Sequence, residues 1–249
     1  MSGQCIAVVS GKGGTGKTSF TAGVGTALAL SGKRVLCIDC DVGLRNLDLA
    51  LGLSDRALMD FSDVAQGRCS LESAVVGHPT VSGLFLLTAP VRSRNLFITE
   101  EEMAALLARV REQFDICLLD APAGLGTGFR LATCAADRCV VVTTADASSL
   151  RDAQHTVMEL NRFGTGRLHL VVNRVRRKLL HSMHATIDDA IDKAGLPLIG
   201  VVPEDDALPL SLNRNVPLLL CSAAAPAAGA YRNIARRILG QKVPLLRIK

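Results

Sequence analysis

The feature that most restricts this chain is a glycine-rich run near its start. Gly11-Lys12-Gly13-Gly14-Thr15-Gly16-Lys17-Thr18 satisfies G-x-x-x-x-G-K-[S/T]. A strand-length apolar run, Cys5–Val9, precedes it, and a helical stretch, Lys17–Ser31, follows. Glycine lets the backbone curl so that successive N–H groups converge, and the helix start adds its positive dipole end at the same place. Such a turn binds phosphate oxygens. Gly11 to Ser19 form the cradle, Lys17 reaches the β and γ phosphates, and the Thr18 hydroxyl ligates Mg²⁺. The expected ligand is a nucleoside triphosphate.

A turn of this kind needs a sheet behind it. Further apolar runs of strand length fall at Val35–Ile38, Leu84–Leu87, Ile116–Leu119, Cys139–Val142, Leu168–Val172 and Leu198–Val202. Helical patterns separate them: Glu100–Gln113, Ser148–Phe163, Leu179–Ala194 and Ala223–Leu239. Met103, Leu106, Leu107 and Val110 recur on one helical face, and Thr99 with Glu102 reads as a capping box. Several strand runs lack polar alternation, as expected when helices cover both sheet faces. The pattern predicts an α/β fold, a doubly wound, mostly parallel sheet flanked by helices. With no internal repeat and no long linker, one domain is expected over residues 1–240, followed by a short basic and apolar tail at 241–249. Ligands on such sheets sit at the carboxyl ends of the strands, so chemistry is sought there.

Four later strand ends carry polar groups. Asp39 and Asp41 stand at i and i+2 and project the same way if the strand continues. One suits the hydration shell of Mg²⁺ and the other the orientation of an attacking water. Asp120 ends a buried run and is followed by Ala121-Pro122-Ala123-Gly124; a carboxylate there acts on Mg²⁺ directly or through water. Asn173-Arg174 and Pro203-Glu204-Asp205 close the last two runs. The N-K-x-D pattern of many guanine-selective sites is missing, since Arg174-Val175-Arg176 follows Asn173. ATP is expected rather than GTP.

Lys12 makes the loop a deviant form, K-G-G-x-G-K-T, and in this the chain resembles the MinD/ParA family of ATPases. The run Asp39-Cys40-Asp41-Val42-Gly43-Leu44-Arg45-Asn46-Leu47-Asp48 is similar to the MinD branch, and the similarity extends to about Leu239. The resemblance implies that Lys12 reaches the nucleotide of a second subunit, where charge on the transferred phosphoryl group calls for a cation. Arg45 is the local alternative for that duty. It further implies that Asp41 positions the hydrolytic water, that Asp39 lies near the metal, and that Asn46 and Gly124 belong to segments sensing the γ-phosphate. Asn173 would contact adenine, with the Pro203–Asp205 loop walling the other side. The implied activity is slow, partner-stimulated ATP hydrolysis to ADP, with Mg²⁺, in a protein that dimerises on ATP. That cycle would recruit a MinC-like division inhibitor, answer to a MinE-like or analogous regulator, and place the septum.

Composition narrows the alternatives. Hydrophobic residues make up 49% and charged residues 20%, enough apolar material for a core and contrary to a disordered chain. One Tyr and no Trp leave little for a nucleic-acid stacking platform. The net charge of +5 fits an anionic partner without naming it. Arg174, Arg176, Arg177 and Lys178 keep a ParA-like DNA-partitioning role open as the runner-up, and a flagellar-number regulator is a further alternative. Cys37-x-x-Cys40 lacks the second ligand pair of a structural zinc site, so reduced thiols are expected. No secretory signal is visible, and the uncharged stretch Val216–Ala230 contains Pro217, Pro226 and Gly229 and is too short to span a bilayer. The expected location is the cytoplasm. The family's tail is a basic amphipathic helix on the inner face of the cell membrane, and this chain departs from it because Pro244 interrupts the tail. Leu245, Leu246 and Ile248 beside Lys242, Arg247 and Lys249 would give at most weak contact with anionic lipid.

Overall fold

In the computed structural model, which describes residues 2–42, 45–90, 98–182 and 186–246, eight strands form one sheet. They are β1 (Gln4–Val9), β2 (Val35–Asp39), β3 (Val76–Gly77), β4 (Leu84–Leu87), β5 (Ile116–Asp120), β6 (Arg138–Thr143), β7 (Leu168–Val175) and β8 (Leu198–Pro203). Their spatial order is β3-β4-β2-β5-β1-β6-β7-β8, and every pairing is parallel except β3 with β4. All seven apolar runs are strands. The short β3 carries no apolar run and was not legible.

The helices are α1 (Lys17–Leu30), α2 (Leu47–Leu51), α3 (Phe61–Ala65), α4 (Leu71–Ala74), α5 (Glu100–Gln113) and α6 (Thr127–Thr133). The second half adds α7 (Ala147–Glu159), α8 (Arg177–Ser182), α9 (Ile187–Ala194), α10 (Ala207–Asn213), α11 (Leu218–Cys221) and α12 (Pro226–Ile238). Strand side chains alternate between two apolar layers. Cys5, Ala7 and Val9 pack with α5, α6, α7 and α9, whereas Ile6 and Val8 pack with α1 and α12. Both faces are covered, which explains why the strand runs lack polar alternation. β1 lies between β5 and β6, where the winding reverses, so the turn after it opens at the crevice of the sheet.

Three expected helices have different limits. The stretch read as Leu179–Ala194 is two helices, with residues 183–185 outside the described set; Thr186 starts α9 with a capping box to Asp189. The helix expected from Ala223 begins at Pro226, which occupies the first turn where its missing N–H costs nothing. The α7 pattern stops at Glu159 and ends in a 3₁₀ turn, Asn161–Phe163. Val216–Ala230 resolves into α11, a turn and the start of α12; among the described residues no helix is long and apolar enough to cross a membrane. Cys37 and Cys40 face opposite layers, so the C-x-x-C pair cannot converge on one ion. Of the tail, Arg247, Ile248 and Lys249 lie outside the described residues, as do Gly43 and Leu44 of the second motif.

Packing of α1 on α12 depends on the absence of a side chain at Gly23. A Cβ there would stand 2.2 Å from the ring of Tyr231, which is fully buried and meets Phe20 edge-on at 6.2 Å. Gly23→Ala therefore overpacks this contact and is expected to lower stability by about 1–3 kcal/mol, read as a drop in the urea midpoint.

Candidate functional site

The residues expected to carry chemistry lie at the carboxyl ends of β1, β2, β5, β7 and β8. In the turn after β1, three backbone carbonyls are held by side chains. Ser10 Oγ donates to Lys12 O at 2.7 Å, Arg174 Nη1 to Gly14 O at 3.0 Å, and Asn173 Nδ2 to Thr15 O at 2.7 Å. With these carbonyls tied, the intervening N–H groups are left for an anion. Gly16 takes φ +87, and a Cβ on it would stand 2.4 Å from Asn173 Nδ2, so glycine is required there on both counts. Asn173 is 2% exposed, and its Oδ1 has no hydrogen-bond partner among the described residues.

Lys17 is buried, and its Nζ donates to Ser10 Oγ at 2.7 Å, so Ser10 links the lysine to the loop backbone. Burial lowers its pKa from the ordinary lysine value, and the charges of Asp120 and Asp41 act to raise it. Asp39 and Asp120 stand opposite each other in the β2–β5 register. Burial pushes Asp39 up to about 6, against hydrogen bonds to its carboxylate from the Asp41 and Leu47 N–H groups at 2.8 and 3.3 Å. Burial and the Asp39 charge push Asp120 up to about 7, opposed by Thr18, Lys17 and Thr21. Asp41 is half-buried and raised by burial, with Lys17 opposing. Two desolvated carboxylates, of which Asp120 is hydrogen-bonded to the Thr18 hydroxyl, are a donor set for a hard divalent cation. Groups of three or more His, Cys, Asp or Glu side chains able to form a cage are absent among the described residues, so substrate phosphate and water would complete the shell.

Lys12 behaves differently from Lys17. Its side chain is 46% exposed, its Nζ donates to Ser148 Oγ at 2.8 Å, and it lies 3.8 Å from Asp146 Oδ1. Against the cost of partial burial, hydrogen bonds from Thr144, Ser149 and Ser148 hold the Asp146 carboxyl well below the usual range. Arg45, the alternative cation, pairs with Asp48 at 3.8 Å and sits at φ +44. Asn46 is exposed at the start of α2, and the Gly124 N–H donates to Ser10 O at 3.3 Å with its backbone at φ +82.

On the far side, Pro203 is buried at the end of β8. Asp205 accepts from the Ala207 and Ala227 N–H groups at 3.0 and 2.9 Å, tying α10 to α12, which gives it a structural duty beside the expected nucleotide contact. Glu204 is gripped by Arg174 and lies 3.5 Å from Arg176. Half of the basic cluster considered for DNA is thus engaged with a carboxylate. A cleft of about 440 Å³ runs along Lys12, Gly14, Asp146, Arg174 and Glu204. The sequence reading missed Ser10, Asp146 and the bond from Arg174 to the loop. None carries a motif signal: Ser10 is a lone serine just before the loop, and Asp146 and Arg174 meet the loop from more than a hundred residues away.

A family profile described as the CobQ/CobB/MinD/ParA nucleotide binding domain matches residues 6–218. The septum site-determining protein MinD of Synechocystis sp. is 38% identical over 244 residues, covering 98% of this chain and 92% of that protein. The fold is similar to that in the MinC:MinD cell division protein complex of Aquifex aeolicus, with a TM-score of 0.90, 36% identity and 98% of each chain covered. It is also similar to MinD complexed with Mg-ADP from Pyrococcus horikoshii, with a TM-score of 0.83, 27% identity, and coverage of 94% and 95%.

The paired carboxyls make stability depend on pH. Both bind protons more readily in the folded chain than in the unfolded one. Their favourable share is therefore complete below about pH 4 and is lost as the pH rises through about 6 for Asp39 and about 7 for Asp120. Without nucleotide or Mg²⁺, Asp120→Asn is expected to raise Tm over the wild type near pH 7.5, with a smaller advantage near pH 5.5. An equal difference at both pH values in thermal melts would count against the pair as the source.

Proposed function

Since this chain belongs to the CobQ/CobB/MinD/ParA family of nucleotide-binding proteins, in its MinD branch, we propose that it is a MinD-like ATPase acting as one domain over residues 1–240. Its role is spatial control of cell division. ATP with Mg²⁺ drives homodimerisation and the recruitment of a MinC-like inhibitor. Hydrolysis, stimulated by a MinE-like or analogous regulator, resets the cycle. The carrying observation is the pairing of a cradle with its carbonyls tied back and a lysine at its rim whose Nζ, among the described residues, is held through an exposed serine and one carboxylate.

The duties proposed for the residues rest on this geometry. The loop N–H groups and Lys17 bind the phosphates, and Lys17 is kept in place by Ser10. Thr18, Asp120 and Asp39 would hold Mg²⁺, which when bound neutralises charge on the β and γ phosphates. Asp39 also fixes the backbone at Asp41 and Leu47, so the metal neighbour and the segment reporting the γ-phosphate are one connected unit. Asp41, half-buried and electrostatically linked to Lys17, orients the attacking water. The unpaired Oδ1 of Asn173 is an acceptor suited to the adenine amino group. Lys12 leaves Ser148 and Asp146 to meet the nucleotide of a second copy, where a cation stabilises charge on the transferred group. The part of the tail that is described presents Leu245 half exposed, consistent with weak contact on an anionic membrane face.

Light scattering in ATP and in ADP tests the reading: a dimer is expected with ATP and a monomer with ADP. Lys12→Ala should bind nucleotide but lose ATP-dependent dimerisation, with turnover falling by on the order of 10²–10³. Lys17→Ala should lose nucleotide affinity itself. A wild-type chain that stays monomeric in saturating ATP, or a Lys12→Ala protein with normal turnover, would falsify the proposal.

A further inference from the structure

Between two paired positions, β7 carries one residue more than its neighbour. Val172 stands opposite Val201 and Val175 opposite Pro203, with a register shift between them. Asn173 and Arg174 take up the surplus, and Arg174 adopts φ +55. An L residue persists in that left-handed region only where its surroundings hold it, and such strain gathers at working sites. A bulge re-aims the side chains it carries. Here Asn173 is directed onto Thr15 O and Arg174 onto Gly14 O.

The remaining guanidinium nitrogens of Arg174 are fixed by one carboxylate. Nε donates to Glu204 Oε2 at 2.9 Å and Nη2 to Glu204 Oε1 at 3.1 Å, the two-pronged geometry that lysine cannot supply. Gly14 has φ +79, and a Cβ placed on it would meet nothing within 4 Å, so nothing packs against the Gly14 side of this peptide; Thr15 on the other side is buried and tied by Asn173. Among the described residues, Arg174 is the only hydrogen-bond donor to its carbonyl. If the peptide turned over, it would point a carbonyl dipole at an anion instead of an N–H group.

We infer that Arg174, oriented by Glu204, is a positioning residue that locks the Gly14–Thr15 peptide in its anion-binding orientation and so sets how long a nucleotide's phosphates stay bound. The inference rests on the nucleotide reading above. Arg174 acts through the loop backbone. The Arg174 guanidinium holds the Glu204 carboxyl below its ordinary range, so the clamp persists through neutral pH.

The test uses the full chain with a fluorescent ADP analogue, following equilibrium affinity and dissociation rate, alongside KM and kcat for ATP. Arg174→Gly removes the guanidinium while leaving a residue that tolerates the left-handed backbone. It is expected to release ADP 5- to 20-fold faster and to raise KM by a similar factor, with kcat within threefold and an unchanged or higher Tm. Glu204→Gln keeps Arg174 but loosens its orientation and should shift the same quantities less. It also carries the test if Arg174→Gly does not fold. A folded Arg174→Gly protein, or failing that a Glu204→Gln protein, with wild-type ADP release and KM overturns the inference. Failure of the wild type to bind ADP overturns the nucleotide reading beneath it.

Discussion

The site depends on a flexible backbone that side chains hold in one orientation. A glycine-rich turn is free to rotate its peptides, and a phosphate is bound only when the N–H groups face it together. Ser10, Asn173 and Arg174 supply that constraint by tying the carbonyls of Lys12, Thr15 and Gly14. Two of these three ties come from β7, so the far half of the sheet completes a cradle that the first strand and helix begin.

Buried charge is the second constraint. Lys17, Asp39 and Asp120 lie in a place where each ion is costly to keep, and the opposed signs only partly offset one another. A bound phosphate and divalent cation would relieve both costs together. The same carboxylate that takes part in this balance, Asp39, accepts from the backbone at Asp41 and Leu47, so the pocket and the segment beyond β2 share one hydrogen-bonded group. On the opposite side the Gly124 N–H rests on Ser10 O, which ties the segment after β5 to the same loop.

Lys12 and Lys17 share a loop yet have opposite surroundings. Lys17 is enclosed and committed to the loop's interior, while Lys12 lies outside against Asp146 and Ser148 at the start of α7, where solvent weakens its ion pair. A cation in that position can be transferred to a stronger anion at little cost. On the proposed function, this difference suits one lysine to holding a nucleotide in its own subunit and the other to a nucleotide presented by a second copy.

The sequence by itself determined seven of the eight strands, the long helices and the loop. Gly11–Thr18 needs only local backbone freedom and a helix start, and Cys5–Val9 or Ile116–Leu119 reveal burial through uninterrupted apolarity. Asp39 and Asp120 were readable as strand-end carboxylates, but the burial that raises the proton affinity of both, and the β2–β5 register that sets the Asp39 charge beside Asp120, are facts of packing and pairing. The limits of α8 and α9, the two-residue β3 and the dual duty of Asp205 depend on neighbours distant in the chain. Most clearly, nothing adjacent to Arg174 marks it as a partner of Gly14, 160 positions away, or of Glu204. A bulge in one strand aims that side chain, and a bulge exists only when a second strand is present to be out of step with it.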